Sequence, residues 1–436
     1  MTRRLITVFA IAAGLWPGLP AARATPLLVD GSIVLSSEFS IGRLDSLVGV
    51  DPGRFGSRGI LSPSWVSDSG DHAVQTLVIN TATAAVSARW NSGTSSVLAA
   101  TTVTARHSPD GFDGSAVDVV PETLGVGFGY EQPSLRMPVV STWFGRFRLS
   151  DPSEHLLHEL VDGASVVLRW ESVSASLGGG LTSLVSKYAY GIRMDDVDRV
   201  YAVDDPVDGP IATPYLAPAR RVVVATLDAG FPADRAGPLE HAAGVFGVYA
   251  DDLAMIGGDR AYLGAVARGR LVAVAYDASV AVSLGDGGVL AAAGVRYPND
   301  PGSVPAVTVA ARYASGGRVV GRFVPVTAAP QGVVLSLPLE NLLVVRVGAE
   351  SAGLPGNRSP GGADRIRLGL SISGFALPAA EAAAEAGLSA GWIGAEASGS
   401  VVFDILSDLS IDSTAGVAIT ATALIPHVRI RGRLTL

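Results

Sequence analysis

The chain has 436 residues and carries 32 basic against 40 acidic side chains, a net charge of −8. A negative balance of this size argues against a nucleic-acid partner, which requires a basic face. Cysteine is absent, so neither a disulfide framework nor thiolate chemistry is available. Lys187 is the sole lysine, which leaves guanidinium groups as the cations for recognising carboxylate or phosphate.

Residues 1–24 read as a secretory leader. Arg3 and Arg4 precede an apolar run from Leu5 to Trp16, and Ala22-Arg23-Ala24 supplies a small-residue cleavage pattern. The run is too short to anchor the chain across a bilayer. A single mature domain is expected over residues 25–436. Losing Arg3, Arg4 and Arg23 leaves 29 basic against 40 acidic groups there, or −11.

Between residues 25 and 135, turn signals at Asp51-Pro52-Gly53, Ser69-Gly70-Asp71, Asn91-Ser92-Gly93 and Asp110-Gly111 separate strand candidates. Leu124, Val126, Phe128 and Tyr130 alternate with Thr123 and three glycines, giving one bulky face and one bare face suited to close backbone approach. Trp143, Phe147 and Leu149 then oppose Phe144, Arg146 and Arg148.

Asp151-Pro152-Ser153-Glu154 carries the cues of a helix start, and the spacing predicts a short helix ending near Asp162-Gly163. His155 and His158 inside it match no zinc motif and no metal residue is assigned. From Ser165 to Asp195 the pattern predicts a hairpin turning at Gly178-Gly179-Gly180. Val166, Leu168 and Trp170 oppose Arg169 and Glu171, and Tyr188, Tyr190, Ile192 and Met194 oppose Lys187 and Arg193. Six aspartates between Asp195 and Asp208 lack an EF-hand spacing and read as a solvated loop.

From Arg220 to Val326 the hairpin rhythm continues. Arg312 sits opposite Val309 and Tyr313. The chain is expected to turn at Ser315-Gly316-Gly317 and return with Arg322 opposite Phe323. Leu271 to Leu284 is apolar on both sides, as in a sandwich core. Ile366, Leu368, Leu370 and Ile372 oppose Arg365 and Arg367, Pro378 to Ala386 reads as a helical insert, and Val428, Ile430 and Leu434 oppose Arg429, Arg431 and Arg433.

Leader, glycine turns, absent cysteines and arginines confined to alternate faces together resemble the porin-type bacterial outer-membrane barrels. The resemblance implies an all-β fold, an antiparallel transmembrane β-barrel of roughly 16 strands with short loop helices. It implies a channel in the cell outer membrane passing small, anionic solutes, with no enzymatic role and no cofactor. Outer-membrane lipid and the barrel-assembly machinery are the implied partners, and a homo-oligomer is a further option. Arg146, Arg148, Arg169, Arg193, Arg312, Arg322, Arg365 and Arg367 are expected to line the lumen, because each opposes the bulky face of its strand and charge facing lipid at midplane costs about 2–4 kcal/mol.

Two other readings compete. A secreted or surface β-sandwich of adhesin-like binding type, periplasmic or extracellular, accounts for the strand that is apolar on both sides. A serine hydrolase would use Gly387-Leu388-Ser389-Ala390-Gly391 with Asp404 or Asp408 and His427, but that elbow needs a strand before the serine and a helix after it, and the order here is reversed. No catalytic residue is assigned.

Overall fold

The computed structural model describes residues 28–42, 75–92, 94–108, 116–131, 138–182, 220–231, 239–252, 259–298, 305–317, 321, 323–327, 331, 341–351, 366–380, 390–405, 408–420 and 424–435. They form β1 (Leu28–Gly42), β2 (Gln75–Ser92), β3 (Ser95–Ser108), β4 (Ala116–Tyr130), β5 (Val139–Ser150), β6 (His158–Arg169), β7 (Val173–Leu181), β8 (Arg220–Phe231) and β9 (Leu239–Asp252). The second half is β10 (Arg260–Leu271), β11 (Val274–Ser283), β12 (Val289–Tyr297), β13 (Ala306–Ala314), β14 (Leu342–Ser351), β15 (Ile366–Leu377), β16 (Gly391–Asp404), β17 (Leu409–Thr420) and β18 (Leu424–Thr435).

Every strand is antiparallel to its sequence neighbours, and β1 pairs with both β2 and β18: Val34 stands opposite Thr83 on one side and Thr435 on the other. One sheet therefore closes on itself with no free edge. Closure replaces the expected count of roughly 16 strands with 18 and sets aside the two-sheet sandwich. Both ends of the described chain, Leu28 and Thr435, lie at the same rim. That rim carries the tight connections at 93–94, 170–172 and 272–273, whereas the opposite rim carries the long ones at 43–74, 182–219 and 315–341.

Alternation assigns the two faces. Leu124, Phe144, Leu177, Leu227, Val245, Leu263, Val345, Leu370 and Ile372 are large, apolar and exposed on the outer face. The inner face carries Val224, Phe246, Tyr262, Leu290, Val344, Ser373, Phe375 and Glu396, all buried. Apart from Phe144 in the middle of β5, the exposed outer aromatics collect toward the rims. Tyr130, Trp170, Tyr297 and Phe403 lie at the rim of the tight turns, and Tyr249 and Trp392 at the other. Placement at both interfaces lets a small aromatic content form two girdles.

Several local expectations are corrected. Residues 151–157 form a turn, not a helix. The Asp151 carboxylate accepts from the backbone N–H groups of Ser153, Leu156 and Leu157 (2.8, 3.1 and 2.7 Å), and Glu154 adopts φ 56, which a helix does not allow. Gly178 to Gly180 lie inside β7, and the hairpin turns instead at Trp170 to Ser172. Leu271 to Leu284 is not one strand: Val272, at φ 56, turns the chain between β10 and β11 without a glycine or proline to announce it. Among the described residues after Ser315-Gly316-Gly317, Phe323 and Val326 fold inward and are fully buried rather than forming a return strand, while Arg318 to Val320 and Arg322 lie outside the described residues. Among the described residues no helix forms an element. The leader, most of the insert from Pro378 to Ala386, the return strand from Lys187 to Met194 and the aspartates from Asp195 to Asp208 lie outside the described residues.

Candidate functional site

Two inward segments narrow the barrel. Leu156 and Leu157, where the 151–157 turn rejoins β6, pack with Leu149 and Val161 against Val222, Val224, Phe246, Val248, Tyr262, Leu290, Phe323 and Val326. This apolar mass sits inside the barrel against the inner faces of β8–β13. Burying each large side chain contributes about 1.5–3 kcal/mol, enough to hold both segments in place. Polar links fix them further. Thr327 N donates to Leu156 O and His158 N to Thr327 Oγ1, both at 2.9 Å, and the Tyr262 hydroxyl donates to Val324 O at 2.5 Å. The bare face of β4 belongs to the same interior, since a Cβ on Gly125 would fall 2.8 Å from Trp143 Nε1.

Beside this mass the inner face turns polar. Register places Ala292, Arg312, Val344 and Phe375 on one rung, and Ala310, Arg346, Ser373, Glu396 and Ala418 on the next. Arg312 Nη1 donates to Gln331 Oε1 at 2.9 Å. Arg346 donates through Nε to Ser373 Oγ at 3.0 Å and through Nη2 to Gln331 O at 3.3 Å, and lies 3.6 Å from the Glu396 carboxylate. A third rung brings Ser371 and Ser398 together at 2.8 Å, and Thr83 meets Thr104 at 3.0 Å on β2 and β3. His155 lies within electrostatic reach of Arg312 and Asp277. Burial and then the Arg312 guanidinium hold its imidazole below the ordinary 6.5, with Asp151, Asp277 and Glu154 pulling the other way.

The arginines singled out in the sequence are not brought to one place. Arg312 stands at the narrowing, while Arg169 and Arg367 share its face near the tight-turn rim, Arg367 beside Asp404 at 3.5 Å. Arg146 and Arg148 stand on the outer face with Phe144, since Phe147 and Leu149 of the same strand turn inward. Arg193, Arg322 and Arg365 lie outside the described residues. Phe323, expected to face away from the lumen, is inside it. Arg346 was missed although it alternates with Val345 and Val347. Glu396 lies among alanine and glycine, where no contrast marks a face, and Gln331 belongs to no periodic segment.

Among the described residues the elements of the hydrolase reading do not come together. Gly391 opens β16 and Asp404 closes it, so the two lie roughly 40 Å apart along an extended strand. Ser389 is outside the described residues. Among the described residues no cluster of potential ligands is arranged to hold a metal.

A closed antiparallel barrel with an apolar outer band, girdled rims, inward segments and an inner face of hydroxyls and guanidiniums defines the porin-type architecture. No family model matches the chain, and no curated relative is found by sequence. Solved outer-membrane structures share the fold. OccK9 (OpdG) of Pseudomonas aeruginosa aligns with TM-score 0.58 at 10% identity, covering 94% of this chain and 98% of that one. The OpdK protein of Pseudomonas aeruginosa with vanillate gives 0.55 at 10% identity over 94% and 98%, and OccK11 (OpdR) of the same organism gives 0.54 at 11% over 94% and 96%.

Proposed function

We propose that this chain is an outer-membrane channel that admits small solutes and prefers anions. The observation that carries the reading is the pair Arg312 and Arg346 on adjacent rungs of the inner face, beside the apolar mass that narrows the barrel. Where low-dielectric walls confine the field, a few fixed charges at the narrowing decide selectivity, so a net charge of −8 spread over the whole chain need not. Guanidinium groups pair with carboxylate and phosphate oxygens two at a time, which makes solutes bearing those groups the favoured cargo. Asp277 and Glu396 offset part of this charge and keep the preference moderate. Shared fold with outer-membrane proteins supports the location, as do the two girdles. The vanillate named with OpdK is a carboxylate of the kind the arginines suit.

Reversal potentials in a salt gradient across a planar bilayer test the reading. The wild type is expected to favour anions, and Arg312→Gln with Arg346→Gln to lose most of that preference. A cation-selective wild type would overturn it. Retention of the protein in outer membranes through carbonate washing tests the location separately.

A further inference from the structure

Two lumen guanidiniums end on one residue. Gln331 offers its side-chain oxygen to Arg312 and its backbone oxygen to Arg346, and is itself buried. The two arginines come from neighbouring strands, whereas Gln331 comes from the connection between β13 and β14. A pair of acceptor oxygens presented to a pair of guanidiniums is the arrangement a carboxylate or a phosphate group would provide. Ser373 and Glu396, on the same rung, also hold Arg346, so its orientation does not depend on Gln331 alone.

We propose that Gln331 is an internal competitor for permeating oxyanions: its two oxygens occupy Arg312 and Arg346 between passages, and a solute carboxylate exchanges with them. This inference rests on the anion-preferring reading above. A charged acceptor hydrogen-bonds to guanidinium about twice as strongly as a neutral amide oxygen, so the solute displaces Gln331 when it arrives. The waiting amide then displaces the solute in turn. Passage needs binding firm enough to admit the ion and weak enough to release it, and a neutral competitor supplies the second condition. A solute with one neutral carbonyl gains nothing from the exchange and is passed over.

The experiment is single-channel recording in chloride with acetate added, reading the acetate concentration that halves the chloride current. Gln331→Ala is expected to lower that concentration about tenfold, the scale of one lost hydrogen bond to a charged group. Gln331→Ser is expected to follow it and replaces it should the alanine variant yield no channels. Gln331→Glu, with a fixed carboxylate, is expected to raise the concentration at least as far. Anion-selective channels in which all three variants keep wild-type acetate sensitivity would overturn the competition and leave the channel reading standing. A cation-selective wild type in the same traces would instead remove the reading on which it rests.

Discussion

Arg146 faces Asp162 across β5 and β6, its Nε and Nη2 lying 2.9 and 2.7 Å from the two carboxylate oxygens, on the face that carries Phe144 and Leu124. A guanidinium on the outer wall is acceptable because the pair is bidentate and Arg146 Nη1 also donates to Pro121 O at 3.3 Å. Removing the carboxylate strands the cation among apolar neighbours. Asp162→Ala is expected to destabilise the barrel by about 2 kcal/mol, between the midplane and interface costs of an outward arginine. The double variant Arg146→Leu with Asp162→Leu is expected to recover most of this. The temperature at which the folded band converts to the unfolded one on an electrophoretic gel measures both. Equal loss in the double variant would contradict the placement of this pair on the apolar face.

This pair also shows what the sequence could and could not convey. Alternation correctly separates Phe144, Arg146 and Arg148 from Trp143, Phe147 and Leu149, but it cannot say which set faces lipid. The usual rule, charge inward, fails here because Asp162 neutralises Arg146 and because the inward turn at 151–157 supplies Phe147 and Leu149 with an apolar partner inside the barrel. Inner apolar packing likewise explains why Leu271 to Leu284 looked like a sandwich core: Ala281 faces the internal mass while Val280 and Val282 face out. On β15 and β18, which contribute nothing to that mass, Ile372 against Ser371 and Ile430 against Arg429 sort as the simple rule expects. Strand closure and the inward segments depend on contacts distant in sequence, and no local pattern announces them.

Thiol labelling checks the face assignment directly. Cysteines replacing Arg169, Arg367 and Ser371 are expected to react with a small hydrophilic thiol reagent in intact outer membranes. Cysteines replacing Phe144, Leu370 and Ile372 are expected to remain unmodified, since their face is turned to hydrocarbon. Indistinguishable labelling of the two sets would mean that the outer face is not in a membrane.

His155 links the inward turn to pH. Burial and Arg312 depress its pKa from 6.5, so the folded state takes up this proton less readily than the unfolded chain. The sign follows: its contribution to stability is complete above about pH 6.5 and is lost as pH falls through the lower folded value. The same protonation adds a positive charge facing Arg312 and Asp277, with Asp151 and Glu154 on its own turn. Anion preference is therefore expected to rise as pH falls below the ordinary imidazole value, and His155→Gln to flatten that rise. Reversal potentials across this range decide it, and an unchanged slope in His155→Gln would assign the titration to other groups.

The close approach of β6 and β7 rests on glycine. A Cβ on Gly163 would meet the carbonyl oxygen of Gly179 and come within 2.5 Å of the Gly180 Cα, and both obstacles are backbone. No side chain can swing aside to relieve the clash, so the two strands must part. Each ladder hydrogen bond opened there has no water to turn to on the apolar side. Gly230 in β8 offers the contrast, because nothing lies within 4 Å of its Cβ position. Gly163→Ala is expected to destabilise the barrel by about 3 kcal/mol or more, the upper range for overpacking, and to cut the yield of heat-modifiable folded protein sharply. Gly230→Ala should assemble like the wild type. Assembly of Gly163→Ala at the wild-type yield and unfolding temperature would show that β6 and β7 are not held at this separation, and the packing of Leu149 of β5 over Gly178 of β7 would have to be redrawn with it.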